Sequence, residues 1–469
     1  MTRLKLKYIP IYCSILLLVF LQSCSEDNTF SEDPFVVAFS NLSANFQEIE
    51  TIKDISLVYS EISQETGTVT IQIEAENAIY GIDYRTIPEA SNQSITLQIQ
   101  SGAVSDVIQF EKLNPFLDET TSIQFKISSI DYSNAQIQGY STYTISAQAS
   151  LGGRIFPNIG GPNEANQVFI DLSSQATTDV IRDSWDLGFY NGDAFRVAIN
   201  GTIYMAAGRL NSTNIDAVTS ESVANEKKQI AVGTFDPLNQ AYIDAPNGNI
   251  LETAIDEISD IDSENNVYLI NLGYDVGSAD AITGSVAIAG DARGWKKVRI
   301  LKRENGYLLQ YADLNDTSHQ EIKISKDSNY NFSHFSFNTN TIVSVEPEKD
   351  KWDISFTVFS NIIEGAGSYG YSDFVTQNTK GDVLSYQIIN SESTYEDFTL
   401  SQVNSSKFSS NQITIGSNWR EIVPKHKLLT DRFYIIKDPN GNVYKLQFLA
   451  FTNNEGERGY PEFTYELLQ

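Results

Sequence analysis

Strict alternation of apolar and polar residues constrains this chain more than any other feature. Thr68-Val69-Thr70-Ile71-Gln72-Ile73-Glu74, Ile95-Thr96-Leu97-Gln98-Ile99 and Ser122-Ile123-Gln124-Phe125-Lys126-Ile127 all repeat with period two. That period sends one set of side chains inward and the other into water, which is the signature of a half-buried strand. No stretch sustains a 3.6-residue apolar period between two caps, and the best helical candidate is Asn214 to Glu226. The expected fold class is all-β: an N-terminal β-sandwich followed by a duplicated antiparallel β body.

The duplication is read from a Trp-Asp strand. Ser184-Trp185-Asp186-Leu187-Gly188-Phe189 is matched by Lys351-Trp352-Asp353-Ile354-Ser355-Phe356. All four tryptophans fall beyond residue 184, Trp185 and Trp295 in one copy, Trp352 and Trp419 in the other. Gln167-Val168-Phe169-Ile170-Asp171-Leu172 leads into the first copy; Gln320 to Ile324 and then His334-Phe335-Ser336-Phe337 lead into the second. Both end in hairpin patterns, and Asn440-Gly441 between alternating runs predicts a tight turn with positive φ at both positions. Self-similarity over about 150 residues is the mark of a repeated unit.

The start of the chain reads as a targeting segment. Arg3, Lys5 and Lys7 precede an apolar run from Ile9 to Leu21, followed by Gln22-Ser23-Cys24. The run is short for a membrane span, and a cysteine at the cleavage point resembles a bacterial lipobox, which implies lipidation of Cys24. Cleavage removes three basic residues and no acid, taking the net charge from −28 to −31. Such a surface excludes nucleic acid, whose phosphates need cationic partners. Cys13 leaves with the signal, so the mature chain has no thiol free for nucleophilic chemistry and no internal disulfide. The acidic Ser25-Glu26-Asp27-Asn28 predicts surface display from the outer membrane.

The expected divisions are a signal peptide (1–23), an acidic tether (24–34), a sandwich (35–149), a first copy (150–316) and a second copy (317–469). Tyr80-Gly81-Ile82-Asp83-Tyr84 and Ile95 to Gly102 resemble Calx-β-like modules, some of which bind calcium. Glu61, Glu65, Asp118 and Glu119 are the carboxylates that would serve, but solvated acids are common and a spacer is the expected role. Gly152-Gly153 through Gly160-Gly161-Pro162-Asn163 marks a linker or an ordered entry loop.

Enzyme motifs fail. His319, His334 and His426 are too scattered for a zinc site, and no Gly-x-Ser-x-Gly elbow occurs. Gly365-Ala366-Gly367-Ser368-Tyr369-Gly370 fits G-x-G-x-x-G, but no helix start follows to hold a pyrophosphate. Asp256 to Glu264 lacks the glycine of an EF-hand loop. No metal site and no catalysis are expected.

Trp352-Asp353 with Phe335-Ser336-Phe337, and the ending from Lys427-Leu428 through Asp438-Pro439-Asn440-Gly441-Asn442 to Phe448, resemble HmuY-type proteins over about residues 155–469. The resemblance implies an all-β, lipid-anchored haem-binding protein that passes haem to an outer-membrane receptor. It also implies iron held between two histidines, one between the Trp-Asp strand and the final hairpin, one just before that hairpin. Residues 385–415 contain neither histidine nor methionine, only Tyr386 and Tyr395, and His426 falls nearer the hairpin than the family ligand. Iron also accepts thioether and phenolate ligands. The haem-ligand candidates are therefore His426, Met205 (the sole methionine after cleavage) and Tyr395. The alternative is a non-catalytic cell-surface adhesion or assembly protein that has lost haem.

Overall fold

The computed structural model describes residues 33–115, 120–423 and 426–469. The signal peptide, Cys24, Asp118 and Glu119 lie outside the described residues.

The alternating segments of the N-terminal third form two five-stranded sheets. One runs Tyr84–Ile87, Ser105–Lys112, Ile52–Tyr59, Phe35–Phe39, Ala135–Ile137; the other runs Ser43–Asn45, Thr142–Ser146, Ser122–Asp131, Gly67–Glu76, Ser94–Ile99. Val69, Ile71 and Ile73 enter a core with Ile123, Phe125 and Ile127, while the residues between them face outward. Of the calcium candidates, Glu65 accepts the Ser133 N–H (3.2 Å) and Glu61 is exposed. Among the described residues no cluster of three His, Cys, Asp or Glu could hold a metal.

The remaining strands build two matching halves. One five-stranded sheet runs Ala206–Arg209, Val267–Asn271, Trp295–Arg303, Gly306–Asp313, Gln320–Ser325. Its counterpart runs Leu384–Ile389, Arg432–Lys437, Val443–Thr452, Arg458–Leu467, and takes its fifth strand, Gly152–Ile155, from the Gly-rich entry segment. Each half also has a four-stranded sheet, and here the chain exchanges parts. The hairpin Asn166–Ile170/Thr177–Ile181 pairs with Ile354–Ile363 of the second half. The hairpin Phe332–Ser336/Thr341–Val343 pairs with Leu187–Tyr190 of the first. Gln320–Ser325, which the sequence places in the second copy, completes the sheet of the first.

The Trp-Asp pairs fasten these exchanged hairpins. They stand at strand entries rather than within strands, since the strands begin at Leu187 and Ile354. The Asp186 N–H donates to the Phe335 carbonyl and the Asp353 N–H to the Ile170 carbonyl, both at 2.8 Å. The Asp186 carboxylate accepts the Phe337 N–H (2.6 Å), and the Asp353 carboxylate accepts the Leu172 N–H (2.8 Å). Asn200 and Asn378 then donate side-chain N–H groups to the Trp185 and Trp352 carbonyls (2.8 and 2.9 Å). Two copies of one hydrogen-bond pattern, on residues far apart in the chain, carry the duplication at atomic level. The second tryptophan of each copy does not correspond: Trp295 opens a strand, whereas Trp419 lies in a loop, stacked on Phe448 (4.2 Å).

Two local expectations are corrected. The final hairpin is not a two-residue turn with both positions at positive φ. Only Gly441 is left-handed (φ 91°), because Asp438-Pro439-Asn440-Gly441 closes through the Asp438 carboxylate, which accepts the Asn442 N–H (2.8 Å). The region Asn214 to Glu226 forms only short 3-10 turns, Ile215–Ala217 and, at its end, Glu226–Lys228. Its polar side chains capture the local backbone instead: Asn214 accepts the Asp216 N–H and Thr219 the Ser222 N–H. The glycine motif at 365–370 is a hairpin turn that runs into the strand Gly367–Gln377. No helix among the described residues is long and apolar enough to cross a membrane.

Candidate ligand cleft

A cleft of about 630 Å³ opens where the strand Gly367–Gln377, the loop ending at Ala289 and the segment 420–423 meet. Tyr204, Tyr274, Tyr369 and Tyr371 wall it, with Val286, Ile288 and Ile422 between them. The tyrosines touch edge to face: Tyr204 and Tyr274 at 6.3 Å, Tyr369 and Tyr371 at 5.7 Å between ring centres. Gly370 is the glycine the wall requires, since a Cβ there would strike the Tyr204 ring. The rim leaves apolar surface in water: Tyr274, Tyr369 and Val423 are all exposed, as is Phe235 packed against Tyr369. Such a rim around a concave apolar surface marks a binding site rather than a solvated loop.

Beneath the tyrosines lies a buried charge cluster. Arg420 and Arg458 line the cleft floor. Arg458 pairs with Asp373 and donates to the Ser372 hydroxyl (2.5 Å). The Arg420 Nε lies 3.7 Å from the same carboxylate without forming a hydrogen bond, and the guanidinium donates to the Ser372 carbonyl (2.5 Å). Behind them Arg182, fully enclosed, donates to the carbonyls of Glu164, Thr202, Asn163 and Ile288. Glu164 accepts the Asp373 N–H (2.9 Å). Burial first, then the Asp373 charge, pushes the Glu164 carboxyl up to about 8. Arg182, Arg420 and Arg458 thus surround the Asp373 and Glu164 carboxyls, with Asp183 also near Arg182, and burial favours the neutral form of Glu164: a concentration of guanidinium groups in a chain of net charge −28.

The raised carboxyl has a consequence for stability. A proton bound more tightly in the folded than in the unfolded chain stabilises the fold below the ordinary carboxylate range, and that stability is lost as pH rises through about 8. Burial pushes Glu346 to about 7 and Asp244 to about 6 in the same direction. The melting temperature is therefore expected to fall between about pH 5 and pH 8. Glu164→Gln, which keeps the acceptor for Asp373, is expected to flatten that fall; calorimetry across the range checks it.

The three ligand candidates do not come together. His426 is exposed beside the cleft, its ring against Gly284 in the loop that supplies Val286 and Ile288. Met205 is fully buried in the core of the first half and borders a separate central cavity. Tyr395 packs edge-on against Phe433 (5.8 Å) under the Lys445 ammonium, away from both. The cleft tyrosines and arginines had no signal in the sequence, because they are scattered from 204 to 458 and only the folded chain brings them together.

The family model described as HmuY protein matches residues 163–465. No curated protein matches. Among solved structures, the apo HmuY analog from Tannerella forsythia is similar at 9% identity, covering 68% of this chain and 96% of that one with a TM-score of 0.18. Apo PinO from Porphyromonas gingivitis is similar at 13% identity over 34% of this chain and 90% of that one (TM-score 0.17). The apo form of the Calx CBD1 domain is similar at 12% identity over 24% of this chain and 97% of that one (TM-score 0.20).

Proposed function

Because the chain belongs to the HmuY family, we propose that it is a non-catalytic haem-binding lipoprotein whose tyrosine-walled cleft holds the porphyrin. One observation carries this reading: an apolar, aromatic cleft stands over a cluster of buried guanidinium groups in an otherwise acidic chain. Haem is a flat apolar ring with two carboxylates, so it needs both surfaces at once. The cleft volume, about 630 Å³, falls within the roughly 300–1,000 Å³ of small-ligand pockets. Arg420, whose guanidinium lines the cleft, would take a propionate in a charge-assisted bond. Phenol oxygens of Tyr274 and Tyr369, together with the imidazole of His426, are ligands of the kinds that iron accepts.

In this reading Cys24 carries lipid, the tether 24–34 and the sandwich 35–149 hold the body off the outer membrane, and the copies 150–316 and 317–469 deliver haem to an outer-membrane receptor. Haemin titration of the full chain tests it. A Soret shift that saturates near one equivalent at micromolar protein is expected. An unshifted band would leave only the adhesion reading.

A further inference from the structure

The seam between the exchanged four-stranded sheets holds a second cavity, of about 180 Å³, that the haem reading does not use. Trp185, Trp352, Phe169, Phe332 and Phe359 give it aromatic walls. Into this wall the fold sets one polar ring, His334. It is 7% exposed, and neither ring nitrogen bonds to any described residue. Burial alone drives its imidazole down to about 3, so it stands neutral with a lone pair free.

The duplication supplies an internal control for that residue. Trp185 meets His334 edge to face at 4.7 Å and 78°, and in the other half Trp352 meets Phe169 at 5.0 Å and 77°. Phe169 fills the matching position with no polar group. An unpartnered buried polar group costs about 1–3 kcal/mol, so histidine here is a burden to the fold that phenylalanine avoids.

The charged groups at the cavity decide what would offset that cost. Asp244 and Glu346 border it, with Lys380. Asp244 accepts the Ile199 and Ala254 N–H groups (2.9 and 2.8 Å), and Glu346 accepts the Phe332 N–H (2.7 Å). The Lys380 ammonium donates to the Gly248 carbonyl (3.0 Å) and stands 5.9 Å from the Phe332 ring centre, which is itself 6.0 Å from His334. Two carboxyls face one ammonium, and burial raises both of them, so a second cation bound here would favour their charged forms. Aromatic faces attract a desolvated cation, and a neutral imidazole nitrogen accepts an N–H.

We propose that the seam cavity is a binding site for a small organic ammonium ion, held by the Glu346 and Asp244 carboxylates, the His334 nitrogen and the indole walls. At about 30 Å³ per water, the space equals roughly six waters, which sets the ligand at the size of a short or single-ring amine.

The test uses the full chain without haemin, so its outcome is independent of the cleft. Benzylamine, benzoate and benzyl alcohol are titrated while tryptophan emission and melting temperature are followed. Saturable quenching and a raised melting temperature with benzylamine, and with neither isostere, are expected. Glu346→Gln and His334→Phe should each weaken benzylamine at least tenfold. His334→Phe copies the Phe169 arrangement and should fold at least as stably as the parent. No saturable response to benzylamine, meaning that the cavity holds water only, would overturn the proposal. So would an equal response to benzyl alcohol or benzoate, or an undiminished response in His334→Phe.

Discussion

Asp186→Ala is expected to destabilise the body by about 3 kcal/mol or more, the cost of stranding a buried charge. Asp353→Asn is expected to change stability by less than about 1 kcal/mol, as an isosteric swap that keeps its hydrogen bond. The two aspartates do the same backbone work in the two halves, yet their surroundings differ. The Asp186 carboxylate, with no exposed surface, sits 2.6 Å from the Arg293 guanidinium, whose side chain is 4% exposed. Removing it leaves Arg293 enclosed, with exposed Asp275 at 3.4 Å as its remaining acidic partner. Asp353 has no such cation. Burial, then the Asp171 charge, pushes its carboxyl well above the usual range, which favours its neutral form. An asparagine keeps the acceptor for the Leu172 N–H. Urea denaturation midpoints at pH 7 for both variants check the contrast.

Arg420→Ala is expected to weaken haemin binding about 10–100-fold, the equivalent of one charge-assisted bond of about 1.5–3 kcal/mol. The fold should survive, because Asp373 keeps Arg458 as its closer partner. Arg458→Ala is the wrong probe, since it leaves Asp373 fully buried without its main counterion. Soret titrations of Arg420→Ala and parent, with matched melting curves, separate lost affinity from lost fold.

How much of this was legible depended on the range of the interaction. Alternation at Val69, Ile71 and Ile73 names the buried face, because a strand's side-chain period is two whatever it pairs with. The Trp-Asp copies announce a repeat because the same strand entry is built twice. Alternation cannot name a partner strand, however, so the exchange that puts Asn166–Ile170 beside Ile354–Ile363 was invisible. Everything that depends on the exchange was hidden with it. His334 read as one of three scattered histidines, although its burial against Trp185 is what makes it chemically unusual. Arg182, Arg420 and Arg458 stand in no motif that would set them apart in the sequence. His426 falls nearer the final hairpin than the family ligand and was named by residue type, and Met205 and Tyr395 were named in the same way. The packing of Met205 and Tyr395 separates them from the cleft and from each other. At Asn214 the error was local: polar side chains compete with a helix for the backbone, and there they won.

The most direct measurement is the position of iron in crystals of the full chain grown with haemin, located by its anomalous scattering. The account predicts a single iron peak in the cleft bounded by Tyr204, Tyr274, Tyr369 and Tyr371, with propionate density reaching Arg420. Iron bound elsewhere, beside Met205 or Tyr395 for example, with the cleft filled only by solvent, would contradict it.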